Sequence, residues 1–212
     1  MWQEVRAYPR LVWLFAVAVF VNHSGASLLW PLHTTYMMQV FNQSMTAAST
    51  VLFLHYTAQM VGNLAGGMIF DRWGGRVTML TAASSLGAMA VLMALWQDFT
   101  LYAVLMVPFG FYYGMMFAGA NAMVTVLWPE GGRRSLNLIY VTYNVAGGVG
   151  TAVSGLIASI SFEAVFLANA CTYGMFLLIF AGTIKARDAG GNKGHGEKAG
   201  DMPGQALGQC SL

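Results

Sequence analysis

Charge is what this chain lacks most. Of its 212 residues 8 % are Asp, Glu, Lys or Arg, against roughly 25 % in a soluble globular protein, and the mean hydropathy is +0.59, so a water-facing surface cannot be assembled from it. Cysteine is nearly absent too: Cys171 stands in an apolar run and Cys210 in a polar one, which excludes a cysteine metal site and gives no disulfide framework. Ten Lys and Arg spread over the whole length leave no basic patch of the kind nucleic acid requires, so a nucleic-acid partner is excluded. No HExxH, GxSxG or phosphate-binding loop occurs, and four dispersed histidines do not form a metal-ligand cluster. The residues therefore point to no enzyme, no metal and no cofactor.

What the chain has in quantity is apolar length. Hydrophobic residues make up 57 %. Six runs, near 11–32, 46–70, 77–96, 101–127, 138–160 and 164–184, approach or exceed the ~20 residues that carry a helix across ~30 Å of hydrocarbon. Unpaired backbone in lipid is too costly for open strands, and the runs are too long for barrel strands. The expected class is all-α, a polytopic membrane protein with six transmembrane helices in residues 1–184. An apolar run beginning at Leu11 continues past Ala26, too long for a signal peptide, so it reads as the first span. From Lys185 to Leu212 the composition turns to Gly, Lys and polar residues, which reads as a flexible cytoplasmic tail or linker, with His195 as a solvated residue.

Six spans put both termini on one side, and the segments on that side carry Arg6, Arg10, Arg72, Arg76, Arg133, Arg134, Lys185, Arg187, Lys193 and Lys198, all the basic residues of the chain. Opposite segments near 33–45, 97–100 and 161–163 carry Asp98 and Glu163 and no cation. The positive-inside rule then places both termini in the cytoplasm, with the plasma membrane as the expected location.

The most charged short stretch is GGMIFDRWGGRV at 66–77, between the second and third runs. A turn of about six residues between antiparallel helices needs glycine for its backbone angles, while Asp71, Arg72 and Arg76 can pair or cap helix ends. A loop that was merely basic would give no reason for the Asp. The stretch resembles the signature loop of the major facilitator superfamily, G-x-x-x-D-R-x-G-x-R-R/K, with Gly67, Asp71, Arg72, Gly74 and Arg76 at matching positions and Val77 where a second basic residue is usual. GASLLWPLHTTY, with Gly25 and Pro31, resembles that family's first-helix ending; WPEGGRRSLNLIYVTYNVAGGVG resembles its region after the fourth helix, with Glu130, Arg133 and Arg134 as charge partners.

The resemblance implies one half of a major-facilitator fold: six helices that face a second six-helix half, supplied by a missing C-terminal half or by another chain, with a small-molecule substrate between them and lipid around them. It implies a secondary transporter working by alternating access, with efflux of hydrophobic or amphiphilic compounds as the expected activity. Asp71 would then be a gate residue whose partner lies in the other half. The alternative is a half-size remnant that does not transport, or a modulator that pairs with another carrier.

No acid or base lies inside any run, so His23 and His55 are the titratable groups expected at depth. Each stands nine residues inward from the end of its run at Leu32 or Thr46, about 13–14 Å below the same boundary. That shared depth lets them face one cavity, with Asn22, Gln59 and Asn121 as polar candidates, or simply satisfy interhelical hydrogen bonds. Small residues recur every four positions at Ala58, Gly62 and Gly66, at Gly110, Gly114, Ala118 and Ala122, and at Gly147, Thr151, Gly155 and Ser159. Such spacing predicts close helix packing or faces that slide against a second half.

Overall fold

The computed structural model describes residues 8–199, with side chains as far as Ile184. All of its regular elements are helical: α1 (Arg10–Leu29), α2 (Leu32–Gln39), α3 (Met45–Leu95), α4 (Phe99–Leu127), a short 3-10 turn at Pro129–Gly131, α5 (Arg133–Ala158) and α6 (Phe162–Ala199). Among the described residues five helical stretches are long and apolar enough to cross a membrane, α1 and α2 counting together as Arg10–Gln39. The protein is an all-α, multi-pass membrane protein.

The difference between five stretches and six expected spans lies in α3. As one rod its 51 residues would reach about 76 Å, more than twice the hydrocarbon thickness. Gly74, at φ 83° and ψ 159°, breaks it, and the neighbours on α4 report a reversal there. Before the break Gly62 lies against Phe111 and Gly66 against Met115, so α3 and α4 run the same way; after it Gly75 lies against Met123 and Met79 against Gly119, so they run oppositely. The expected second and third spans are therefore both present, joined by a tight turn at Gly74. Only a residue without Cβ occupies that backbone region at little cost.

Three helix starts are capped by side chains. Ser44 accepts from the amide of Ala47, Asp98 from that of Leu101 and Ser161 from that of Ala164, which satisfies first-turn donors of α3, α4 and α6. These three starts belong to one end of the bundle. There the Gln97 amide donates to Glu163, Tyr36 packs on Phe162 with ring centroids 5.2 Å apart, and Phe41 packs on Phe99. At the other end Tyr8 meets Trp128 edge-on at 4.9 Å, near the Gly74 turn and the start of α5. Arg10, Arg72, Arg76, Arg133 and Arg134 are all exposed at this second end.

Packing is uneven around the bundle. α3 lies mainly against α4 and, through its second half, against α6; α1 lies between α5 and α6. One continuous core joins them, with Phe15, Phe176 and Phe180 fully buried. Outward-facing residues are as apolar as the core: Leu64 is 75 % exposed and Leu178 77 %. In lipid that surface carries no hydrophobic penalty, which is why association here depends on close packing instead.

α6 continues as helix to Ala199, through part of the segment expected as a tail. Residues 200–212, and with them Cys210, lie outside the described residues, as does the His195 side chain.

Candidate solute cavity

Pro31 shapes one wall. It carries no N–H to continue the ladder of α1 and its ring opposes the preceding turn, so helix stops at Leu29, turns at Trp30–Pro31 and restarts at Leu32. The restart turns His33 inward. It is 6 % exposed, and its Nδ1 lies 2.6 Å from the Tyr102 hydroxyl on α4. His33 was expected in an outer loop; it is a buried member of the site. The continuation of LHTTYMMQ in helix-permitting residues, with Tyr36 and Met37 three and four positions beyond His33, was the available signal.

The second wall is the α3–α4 seam. Gly110 has no side chain, and the His55 backbone lies where its Cβ would stand, so α3 comes close enough for His55 Nδ1 to donate to the Met106 carbonyl at 2.9 Å. A carbonyl only accepts, so Nδ1 is the protonated nitrogen. The ring centroids of His33 and His55 are 6.1 Å apart. His23 on α1 closes the third side, with Nδ1 3.4 Å from the Tyr113 hydroxyl and its ring edge-on to Tyr143 of α5 at 4.7 Å.

Between them is a cavity of about 220 Å³, lined by His23, His33, His55, Ser27 and Gln59 as polar groups and by Trp30, Tyr56, Phe109 and Tyr113 as aromatic surface. Trp30, 64 % exposed, and Tyr56, 40 % exposed, form its rim. A smaller hollow of about 10 Å³ continues past His23 and Tyr113 toward Asn22, whose buried amide nitrogen has no protein partner among the described residues.

Of the residues singled out from sequence, the structure brings His23, His55 and Gln59 to this cavity, with Asn22 next to it. Asn121 is not there: its amide donates to the Phe117 carbonyl one turn back on α4. The other group sits at the basic end. Gly67 is half-buried, Asp71, Arg72, Gly74 and Arg76 are exposed at the reversal, and the Arg72 guanidinium lies 5.9 Å from the Trp73 ring centroid. Glu130 is in the 3-10 turn, and Arg133 and Arg134 open α5, all exposed. Among the described residues no three His, Cys, Asp or Glu side chains are grouped to hold a metal ion.

The small-residue stripes divide in the same way. Gly62, Gly66, Gly110 and Gly114 face the opposing backbone across the α3–α4 seam. On α5 the buried small residues are Ser135, Ala146, Gly150 and Ser154, and Gly150 lies against Ser24 of α1. Of the expected α5 stripe, Gly147 borders Ser27 and His23, while Thr151, Gly155 and Ser159 are exposed.

The sequence model of the Major Facilitator Superfamily matches residues 15–206. The chain belongs to the major facilitator superfamily. Among curated relatives of this major-facilitator chain, the uncharacterized MFS-type transporter YttB of Bacillus subtilis (strain 168) is 42 % identical over 172 residues, which is 81 % of this chain and 43 % of the relative. The chain thus spans less than half the length of the curated relative it matches.

Proposed function

We propose that this chain is one half of a secondary transporter that moves a small solute by alternating access, with efflux of hydrophobic or amphiphilic compounds as its activity. The observation that carries this reading is the cavity of about 220 Å³ between α1, α2, α3 and α4. Its aromatic walls suit apolar matter and its few polar groups give orientation, the usual make-up of a small-molecule site. Its rim is exposed at Trp30 and Tyr56, so the solute is held on one side only. A second six-helix bundle, continuing this chain or borne by another, closes the other side. A transport role accounts for this arrangement without any catalytic group.

The same reading places the basic end, with both termini, in the cytoplasm, and the protein in the plasma membrane. Asp71, Arg72 and Arg76 then form a cytoplasmic gate element held in place by the Gly74 reversal, with Glu130, Arg133 and Arg134 beside it as charge partners.

The test is a chimera. Residues 1–187 are joined to the part of the Bacillus subtilis relative that this chain does not cover and expressed in cells stripped of their own efflux systems. The expected result is lower accumulation of amphiphilic dyes, abolished when the proton gradient is collapsed. A chimera that reaches the membrane folded and leaves accumulation of every compound in a broad panel unchanged overturns the proposal.

A further inference from the structure

The cavity's walls have a one-sided charge repertoire. Its titratable groups are imidazoles and phenols: His23 from α1, His33 from α2, His55 and Tyr56 from α3, Tyr113 from α4. Behind them stand Tyr102 of α4, bonded to His33, and Tyr143 of α5, packed on His23. From α6, the wall behind His33 is Phe162, Val165 and Phe166, and the nearest carboxylate there, Glu163, is taken up by Gln97. Among the described residues no carboxylate and no permanent cation lines the space. Near neutral pH such a site is neutral or, after taking a proton, positive. These walls offer no negative charge to a cationic solute.

Two of the histidines take a proton without losing the hydrogen bond they already make. His55 Nδ1–H donates to the Met106 carbonyl whether or not Nε2 is protonated. At His33 the partner is a hydroxyl, which donates to a bare Nδ1 and, after rotating, accepts from a protonated one. With rings 6.1 Å apart, the second proton is opposed by the first, because like charges at that separation repel in a dry site. An anion set between them removes the repulsion and compensates the cost of a cation at membrane depth.

We infer that His33 and His55 form a protonatable anion subsite, which receives the acidic head of an amphiphilic weak acid while Trp30, Tyr56 and Phe109 receive its apolar body. The inference rests on the reading of this cavity as a solute site and names the solute's charge. Proton and anion bind with mutual reinforcement, and by linkage anion affinity rises as pH falls through the imidazole range.

The probe set shares one apolar body and differs in charge: benzenesulfonate, which stays ionised throughout, benzylamine and benzyl alcohol. Equilibrium binding is measured to the 212-residue chain in phosphatidylcholine nanodiscs, with empty discs subtracted. Benzenesulfonate is expected to bind about tenfold more tightly at about pH 5.5 than at about pH 8, benzyl alcohol equally at both, and benzylamine more weakly at the lower pH. His55→Gln, its fold checked by a monodisperse peak on detergent chromatography, reduces the pH dependence of benzenesulfonate binding. Tyr102→Phe, which retains the ring and withdraws only the hydroxyl at His33, reduces the dependence independently. Benzenesulfonate affinity equal at the two pH values in the parent chain, or benzylamine bound more tightly than benzenesulfonate, overturns the inference. The two readings fail separately: a chimera that exports nothing while benzenesulfonate binding remains pH-dependent removes the transport proposal and leaves the subsite, and export by a chimera whose chain shows no charge preference does the reverse.

Discussion

Along the α3–α4 seam, Gly62, Gly66, Gly110 and Gly114 each stand where an added Cβ would run into the backbone of the facing helix, whereas on α5 Gly148 and Gly155 face open space. The same four-residue spacing of small residues thus describes a closed seam in one place and a bare surface in another. In lipid, helices gain nothing from hiding apolar area from water, so close backbone approach is the main route to stable contact. The α3–α4 seam has already used it. The outer face of α5, with Tyr140, Val149 and Leu156 exposed alongside its glycines, keeps it in reserve.

Breaking the seam should have the largest effect. Gly114 lies against the Gln59 carbonyl and the Asn63 amide, neither of which can step aside, so Gly114→Leu should destabilise by about 3 kcal/mol or more. Loss of the monodisperse peak on detergent chromatography, or a sharply lowered midpoint in a thermal scan, is the check. Next comes the reversal that lets both halves of α3 reach α4. Gly74→Ala forces a Cβ into φ 83°, ψ 159°, at a cost of about 1–3 kcal/mol, seen as a smaller drop in the same scan; a midpoint equal to the parent's would mean the turn can relax.

Smaller still is Tyr102→Phe at the far end of the seam, where His33 would lose its buried partner. The expected loss is about 1–2 kcal/mol with the fold retained. The α5 face should show the least in the chain alone: Gly155→Ala meets nothing within 4 Å and replaces a poor helix former, so stability should stay level or rise by up to about 1 kcal/mol. In a two-bundle chimera the same change should impair export if α5 is the face that meets the second bundle. An unaffected chimera would assign that face to lipid and widen the contrast with the seam.

Much of the fold was legible from local properties. Apolar run lengths identify the helices, and the glycines flanking Asp71, Arg72 and Arg76 mark the turn, because a span and a tight reversal each place direct demands on consecutive residues. Depth counting also put His23 and His55 at one level, since helical rise converts sequence distance to height without knowledge of neighbours. His33 was missed. Hydropathy ended the first span at Leu32 and left His33 in the outer segment 33–45, yet Pro31 interrupted the ladder for one turn and the helix resumed at Leu32. Asn121 is set apart from this cavity for a different reason: it is on the helix near other site residues in sequence, but its amide donates to the Phe117 carbonyl one turn back.

Sequence by itself determined which segments are helices, where the chain reverses at Gly74, and that all ten Lys and Arg fall in segments on one side of the predicted spans, because those properties depend on each residue's own solvation and backbone freedom. Which glycines are in contact, which face of α5 stays bare, and that His33 joins His23 and His55 around one cavity were decided only by tertiary structure. Burial and hydrogen bonding belong to pairs of surfaces, and the rotation that brings two helices face to face is not written in either helix alone.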